Sequence, residues 1–197
     1  MTHLVTGTGR SGDTLALTFD DGPHPVTTPA LLDVLRRHDV RAVFCLWGDH
    51  VRQHPELVRR IVAEGHCLGN HSMHHDDLGG RAPEQIAADL LETNAAIEDA
   101  APGSSVPWFR APFGAWGAST DVAASLGMRS LGWSLDVADW DPPPSADELL
   151  KRLQDGVTPG GVVLLHDGGG DRRGTVEAVQ RLLPGLLARN WTLTLPT

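Results

Sequence analysis

The stretch Thr14-Leu-Ala-Leu-Thr-Phe19, followed at once by Asp20-Asp21-Gly22-Pro23, decides how this chain is read. The first six residues have the composition of a buried strand. Asp-Gly and Gly-Pro are ordinary turn dipeptides. Two adjacent carboxylates directly after a buried strand nevertheless repel one another, and cost stability unless a cation or an arginine compensates. A strand that ends in a pair of acids therefore points to a site at its tip.

Working outward, the same strand-then-helix unit recurs. Thr28 to His38 repeats Leu31, Leu32 and Leu35 at helical spacing, with Pro29 suited to a first turn. Further strands are expected at Arg41–Trp47, His66–Asn70, Val106–Arg110, Arg129–Leu135, Gly161–His166 and Trp191–Leu195. Helical patterns separate them: a stripe through Leu57, Val58, Ile61 and Val62, then Pro83–Ala100, and then roughly 119–126, 146–154 and 175–188. Seven strands in alternation with about six helices imply right-handed βαβ units. Either an open doubly wound sheet or a shortened (β/α) barrel satisfies that pattern. Gly7-Thr-Gly9 precedes the first strand and lacks a third glycine, so no dinucleotide fingerprint is present. Pro142-Pro-Pro144 reads as a rigid loop. The expected organisation is an N-terminal extension over 1–13 and a single domain over 14–197.

Composition narrows the function. The 197 residues carry 16 basic and 25 acidic side chains, a net charge of −9. That balance argues against a nucleic-acid partner and against an anionic membrane surface. Residues 1–13 contain no apolar core of a signal peptide, so the expectation is a cytoplasmic chain, or a secreted one whose leader has been removed. Two cysteines, Cys45 and Cys67, are too few for a disulfide framework and read as free thiols in buried strands. Ten histidines and no tyrosine make the histidine positions informative.

Titratable residues fall just past the strand ends, where parallel α/β folds bind ligands. They are Asp20 and Asp21, then His71, His74 and His75, then Arg110, Asp136 with Asp139, and His166 with Asp167. Histidines three or four apart face the same way on a helical turn, so His71 can pair with His74 or with His75 around a metal. Two imidazoles and one carboxylate leave open coordination positions, as a catalytic Zn2+ or a similar divalent ion requires. A carboxylate such as Asp139 can orient His166 and favour its protonated form, and Arg110 can hold whichever aspartate is off the metal.

Five ordered segments carry a resemblance: Thr18-Phe-Asp-Asp-Gly-Pro23, His71-Ser-Met-His-His75, Arg110-Ala-Pro-Phe-Gly114, Asp136-Val-Ala-Asp-Trp140 and Leu164-Leu-His166. Together they resemble the polysaccharide deacetylase family, the metal-dependent carbohydrate esterases of NodB type, over about residues 14 to 195. The resemblance implies a distorted, incomplete (β/α) barrel of about seven parallel strands. It implies His71 and His75 as metal ligands, with His74 a neighbour, and Asp21 as the third ligand. It further implies Asp20 as general base held by Arg110, and His166 as general acid tuned by Asp139. Leu164 and Trp140 would wall the acyl methyl group, and the Phe113 backbone N–H would stabilise the oxyanion. Tyrosine is usual at position 113, but a main-chain donor survives the exchange to phenylalanine.

The activity so implied is removal of N-acetyl groups from an amino sugar, oligosaccharide or polysaccharide of chitin or peptidoglycan type. One divalent ion would be required, Zn2+ first, with Co2+, Mn2+ or Ni2+ as alternatives. Competing readings are O-deacetylation of acetylated xylan, deacylation of a small intracellular metabolite, and a catalytically inert sugar-binding protein. The expected partner is an acetylated carbohydrate, and the chain is expected to be monomeric. Of the remaining residues, His38, His50 and His54 read as solvated, His66 as structural, and Trp47, Trp108 and Trp133 as core. Trp116 and His24 lie on loops near the rim and are the further candidates for lining a groove.

Overall fold

Residues 3–140 and 142–197 are described by a computed structural model. The chain opens with β1 (Thr14–Asp20), α1 (Thr27–Arg37), β2 (Val43–Leu46), α2 (Gly48–Gln53) and α3 (Pro55–Ala63). It continues through β3 (Cys67–Asn70), α4 (Pro83–Ala100), β4 (Trp108–Phe109), α5 (Ser119–Ser125), β5 (Arg129–Ser130) and β6 (Leu135–Asp136). It ends with α6 (Ala146–Gly156), β7 (Gly161–His166), α7 (Arg173–Ala188) and β8 (Thr192–Leu193). Every pairing between named strands is parallel, in the order β5-β4-β3-β2-β1-β7-β6, and β8 joins the start of β1.

β1 lies at the centre and is buried along its whole length. Its two-residue period sorts its side chains between two environments. Leu15, Leu17 and Phe19 join the large core that includes Leu31, Leu32 and Leu35 of α1 and Val179, Leu182 and Leu186 of α7. Ala16 instead packs with Val43, Cys45, Trp108, Leu131 and Val162, a smaller cluster drawn from strands all around the sheet. Asp20 has the parity of Ala16, so the alternation that buries Phe19 against helices turns Asp20 to the face lined by that second cluster. Each large apolar side chain so buried contributes roughly 1.5–3 kcal/mol.

One strand expected from the sequence proves to be two. Arg129–Leu135 was expected to form a single strand, but Arg129 and Ser130 pair with β4 whereas Leu135 and Asp136 pair with β7. The amides of Leu131 and Ser134 continue each half, donating to Phe109 O at 2.8 Å and Val162 O at 2.9 Å. The two edges of the sheet are thus joined by adjacent residues of one extended segment. Five steps of about 3.3 Å put the edges no more than about 17 Å apart, so the sheet curls into a barrel with a splayed seam. Val5 reinforces the seam, donating to Ser130 O and accepting from Gly132 N, each at 2.9 Å, while Thr8 N reaches Gly160 O at 2.8 Å. The architecture is the incomplete (β/α) barrel: seven strands in the continuous path, with β8 as an eighth.

Candidate active site

The tips of β1 and β7 stand side by side, with Asp20 in register with His166. Asp20 is buried and accepts a 2.7 Å hydrogen bond from Arg110 Nη1. Arg110, also buried, spends its other donors on the seam: Nε reaches Leu131 O at 2.9 Å and Nη2 reaches Gly132 O at 3.1 Å. The cation facing Asp20 is therefore fixed by two backbone carbonyls, which makes the pair rigid as well as neutral.

The same arginine holds a histidine with its backbone. His71 Nδ1 lies 2.8 Å from Arg110 O, and because a carbonyl can only accept, Nδ1 carries the proton. His71 Nε2, the other ring nitrogen, lies 3.3 Å from Asp21 Oδ1, and His75 Nε2 is 3.1 Å from the same oxygen. That Asp21 oxygen is buried and accepts no hydrogen bond within the chain. One ligand atom from each of Asp21, His71 and His75 falls within 4.8 Å of the others. An orphaned carboxylate oxygen facing two imidazole nitrogens is the donor set of a small divalent cation, so these residues fit such an ion. His74 points elsewhere, with Nδ1 3.0 Å from Asp49 Oδ2 on the surface. The open choice between His74 and His75 falls to His75.

Three site residues have left-handed backbones: Asp21 (φ 69°), His75 (φ 54°) and Phe113 (φ 58°). Such conformations cost about 1–3 kcal/mol each and persist only where the surroundings impose them. At Asp21 the surroundings include Gly169, itself at φ 69°, where any Cβ would run into the Asp21 carboxylate.

Asp139 organises the other side of the cavity. Its Oδ1 lies 2.7 Å from His166 Nδ1, while Oδ2 accepts from His166 N at 3.0 Å and from Thr175 Oγ1 at 2.7 Å. Burial acts to lower the His166 imidazole, but the hydrogen bond and charge of Asp139, with Asp20 and Asp21 beyond it, raise it above the ordinary histidine value. Burial acts to raise Asp21, and the adjacent His71 and His75 outweigh it, holding the carboxyl well below its usual range. Asp167 follows the opposite course. Burial, helped by the charges of Asp21 and Asp20, pushes its carboxyl up to about 7 against the Thr28 hydrogen bond and the His166 charge. It sits behind the Gly22 turn, where a Cβ on Gly22 would collide with it.

These groups open into one cavity of about 680 Å³, lined by Asp20, Asp21, His71, His75, Arg110 and His166 at its floor. Phe113, Trp140 and Leu164 also line it. The Phe113 ring sits edge-on to His75 at 4.6 Å, and Trp140 edge-on to His166 at 5.3 Å. The structure thus brings Asp20, Asp21, His71, His75, Arg110, Phe113, Trp140, Leu164 and His166 around one cavity, with Asp139 behind His166. The two further groove candidates do not join them. His24 accepts from Val26 N and Thr27 N at the start of α1, and Trp116 packs edge-on against Phe109 behind the wall. Trp133, expected in the core, packs against the smaller apolar cluster and also reaches the cavity, together with Asp171 and Arg172 of the loop after β7. Arg172 is buried and donates to Asp139 O at 3.0 Å and Trp140 O at 3.2 Å, tying that wall in place. The glycine run Gly168–Gly170 between His166 and Arg172 was the available signal for a loop pressed against the site.

A parallel barrel with acids, imidazoles and an arginine converging at its strand tips is the form of a metal-dependent hydrolase. The sequence profile of the polysaccharide deacetylase family matches residues 8–131. The chain is 39% identical over 204 residues to a chitooligosaccharide deacetylase of Sinorhizobium fredii, covering 97% of this chain and 94% of that one. Among solved structures it is similar to the Bc1960 peptidoglycan N-acetylglucosamine deacetylase, with a TM-score of 0.88, 29% identity, and 98% and 89% of the two chains covered. It is also similar to a CE4 family pseudoenzyme from Bacillus anthracis, with a TM-score of 0.83, 28% identity, and 92% and 63% covered. The chain belongs to the polysaccharide deacetylase family.

Proposed function

We propose that the chain hydrolyses the N-acetyl group of N-acetylglucosamine units in a chitin- or peptidoglycan-type saccharide, using a divalent ion, Zn2+ first. The observation that carries this reading is the pairing of two different acid–base devices in one cavity: Asp20 ion-paired with Arg110, and His166 hydrogen-bonded to Asp139, which raises its imidazole above the ordinary value. Asp21, His71 and His75 would hold the ion, which when bound supplies Lewis acidity toward a water and an acyl oxygen. Asp20 takes the proton of the attacking water, and Arg110 keeps its carboxylate aimed. The Phe113 N–H donates to the oxygen on which negative charge develops. Protonated His166 then delivers a proton to the departing nitrogen, a step an amide needs because an amide anion leaves poorly. An ester depends on that acid much less, which is why the Asp139–His166 pair favours an N-acetyl substrate. Leu164 and Trp140 offer the methyl group an apolar wall.

The test is acetate release from chitooligosaccharides, peptidoglycan fragments and acetylxylan, with Zn2+, Co2+, Mn2+ or Ni2+ added in turn. Release from the first two is expected, and release from acetylxylan alone refutes the N-deacetylase reading. Asp20→Asn should abolish turnover while leaving metal uptake intact. Failure of every substrate with every metal would favour an inert sugar-binding protein.

A further inference from the structure

We propose that Trp47 and the first turn of α2, Gly48 to His50, form a clamp that fixes the relative positions of Asp21, His71 and His75, with His50 and Trp47 as positioning residues. The inference rests on the metal-binding reading above and deepens it. His50 Nδ1 lies 2.7 Å from the backbone carbonyl of Asp21, 29 residues earlier. A carbonyl accepts only, so His50 donates from Nδ1. Next to it, Trp47 N donates to Gly22 O at 2.9 Å. Two successive carbonyls, those of Asp21 and Gly22, are thereby gripped by one segment, which holds the peptide that carries the Asp21 carboxylate.

The same four residues grip the histidine loop from its other side. Gly48 N donates to Ser72 O and Asp49 N to Met73 O, each at 3.0 Å. A Cβ on Gly48 would run into the Met73 side chain and crowd its Cα, so glycine suits the close approach of α2 to the histidine loop. Side chains complete the grip. The Trp47 indole lies between two imidazoles, 4.3 Å from the His50 ring and 4.9 Å from the His75 ring, tilted from them by 35° and 27°. The indole therefore packs against one ligand, His75, and against His50, the group that holds the peptide of a second ligand.

The backbone explains why a clamp is needed. Asp21, Ser72 and His75 all have positive φ, of 69°, 64° and 54°, in two loops far apart in sequence. Neither loop favours its conformation locally, and such strain survives only where neighbours over-determine it. Groups that orient metal ligands from behind are commonly worth 10–100-fold in metal affinity.

The experiment measures Zn2+ affinity by competition with a chromophoric chelator for the full chain, His50→Leu, His50→Asn and Trp47→Leu, with the metal-free melting temperature of each. His50→Leu should weaken Zn2+ binding by about 10-fold or more. His50→Asn, whose side-chain N–H occupies the place of Nδ1–H, should recover most of that loss. Trp47→Leu should weaken binding by about 10-fold through the lost support of His75. Wild-type affinity in both leucine variants overturns the clamp. So does a loss in His50→Leu that His50→Asn fails to recover, or one matched by an equal drop in metal-free stability. A wild-type chain that takes up no divalent ion overturns the metal reading itself, and is distinguished by failing before any variant is compared.

Discussion

Replacing Asp139 by asparagine isolates what its charge does for His166, because the change keeps the shape and removes the anion. Asp139 accepts three hydrogen bonds, from His166 Nδ1, from His166 N and from Thr175 Oγ1. An asparagine has one carbonyl oxygen and one NH2 group to meet them. With its oxygen toward the imidazole, its NH2 faces the backbone N–H of His166, and a buried donor loses its acceptor at a cost of about 1–3 kcal/mol. With the amide turned over, the NH2 faces Nδ1 and holds the ring in its neutral form. Either way the imidazolium loses its counter-charge, the largest influence that raises His166 against burial. The protonated acid is then scarcer at any pH above the new, lower value.

The expected result is a kcat/KM for chitooligosaccharide deacetylation lower by about 10²-fold or more, the usual worth of a positioned general acid. The alkaline limb of the pH–rate profile should move toward acid, since activity that needs His166 protonated is lost as pH rises through its pKa. An activated ester substrate should lose far less. The melting temperature should fall by about 2–4 °C for each kcal/mol lost. An unmoved alkaline limb with amide turnover near wild type would refute the reasoning, as would equal losses on amide and ester.

Two further outcomes test the buried charges. Arg110→Met strands a buried Asp20 carboxylate and two backbone acceptors, and should cost about 3–5 kcal/mol in urea unfolding; a loss below about 1 kcal/mol would mean that the pair is not desolvated as the structure has it. Asp167 holds its proton up to about pH 7 in the folded chain, whereas an unfolded aspartate releases it near 3.9, about the reference value. Between those values the folded state binds more protons, so this group's contribution to stability falls as pH rises. Asp167→Asn should therefore flatten the decline in unfolding free energy between about pH 4 and pH 7, measured without added metal; parallel profiles for the two proteins would sink the assignment.

Most of the site was legible because each of its groups follows a short apolar run that announces itself locally. Asp20, Arg110 and His166 could be placed at strand tips from Leu15–Phe19, Val106–Phe109 and Val162–Leu165 alone. The residues that were misread owe their roles to contacts with no local signature. His50 reads as a solvated residue beside a helix, and nothing within ten residues of it announces the Asp21 carbonyl. Trp116, expected at the groove, stays out of the cavity, while Trp133 packs against the core and lines the cavity as well, because aromatic content does not say which face of a wall a ring occupies. Arg129–Leu135 has the composition of one strand, but composition is silent about partners, and its two ends pair with different neighbours.

That divided segment has a dynamic consequence. The amides of Leu131 and Ser134 are three residues apart yet protected by strands on opposite flanks of the seam. Arg110, which neutralises Asp20, is anchored to the carbonyls of Leu131 and Gly132 between them. Any fluctuation that parts the seam therefore releases both amides to solvent and frees the guanidinium from its anchors in the same event. Hydrogen exchange at Leu131 and Ser134 should report one common opening free energy, and that opening is the one in which Asp20 is without its anchored counter-ion.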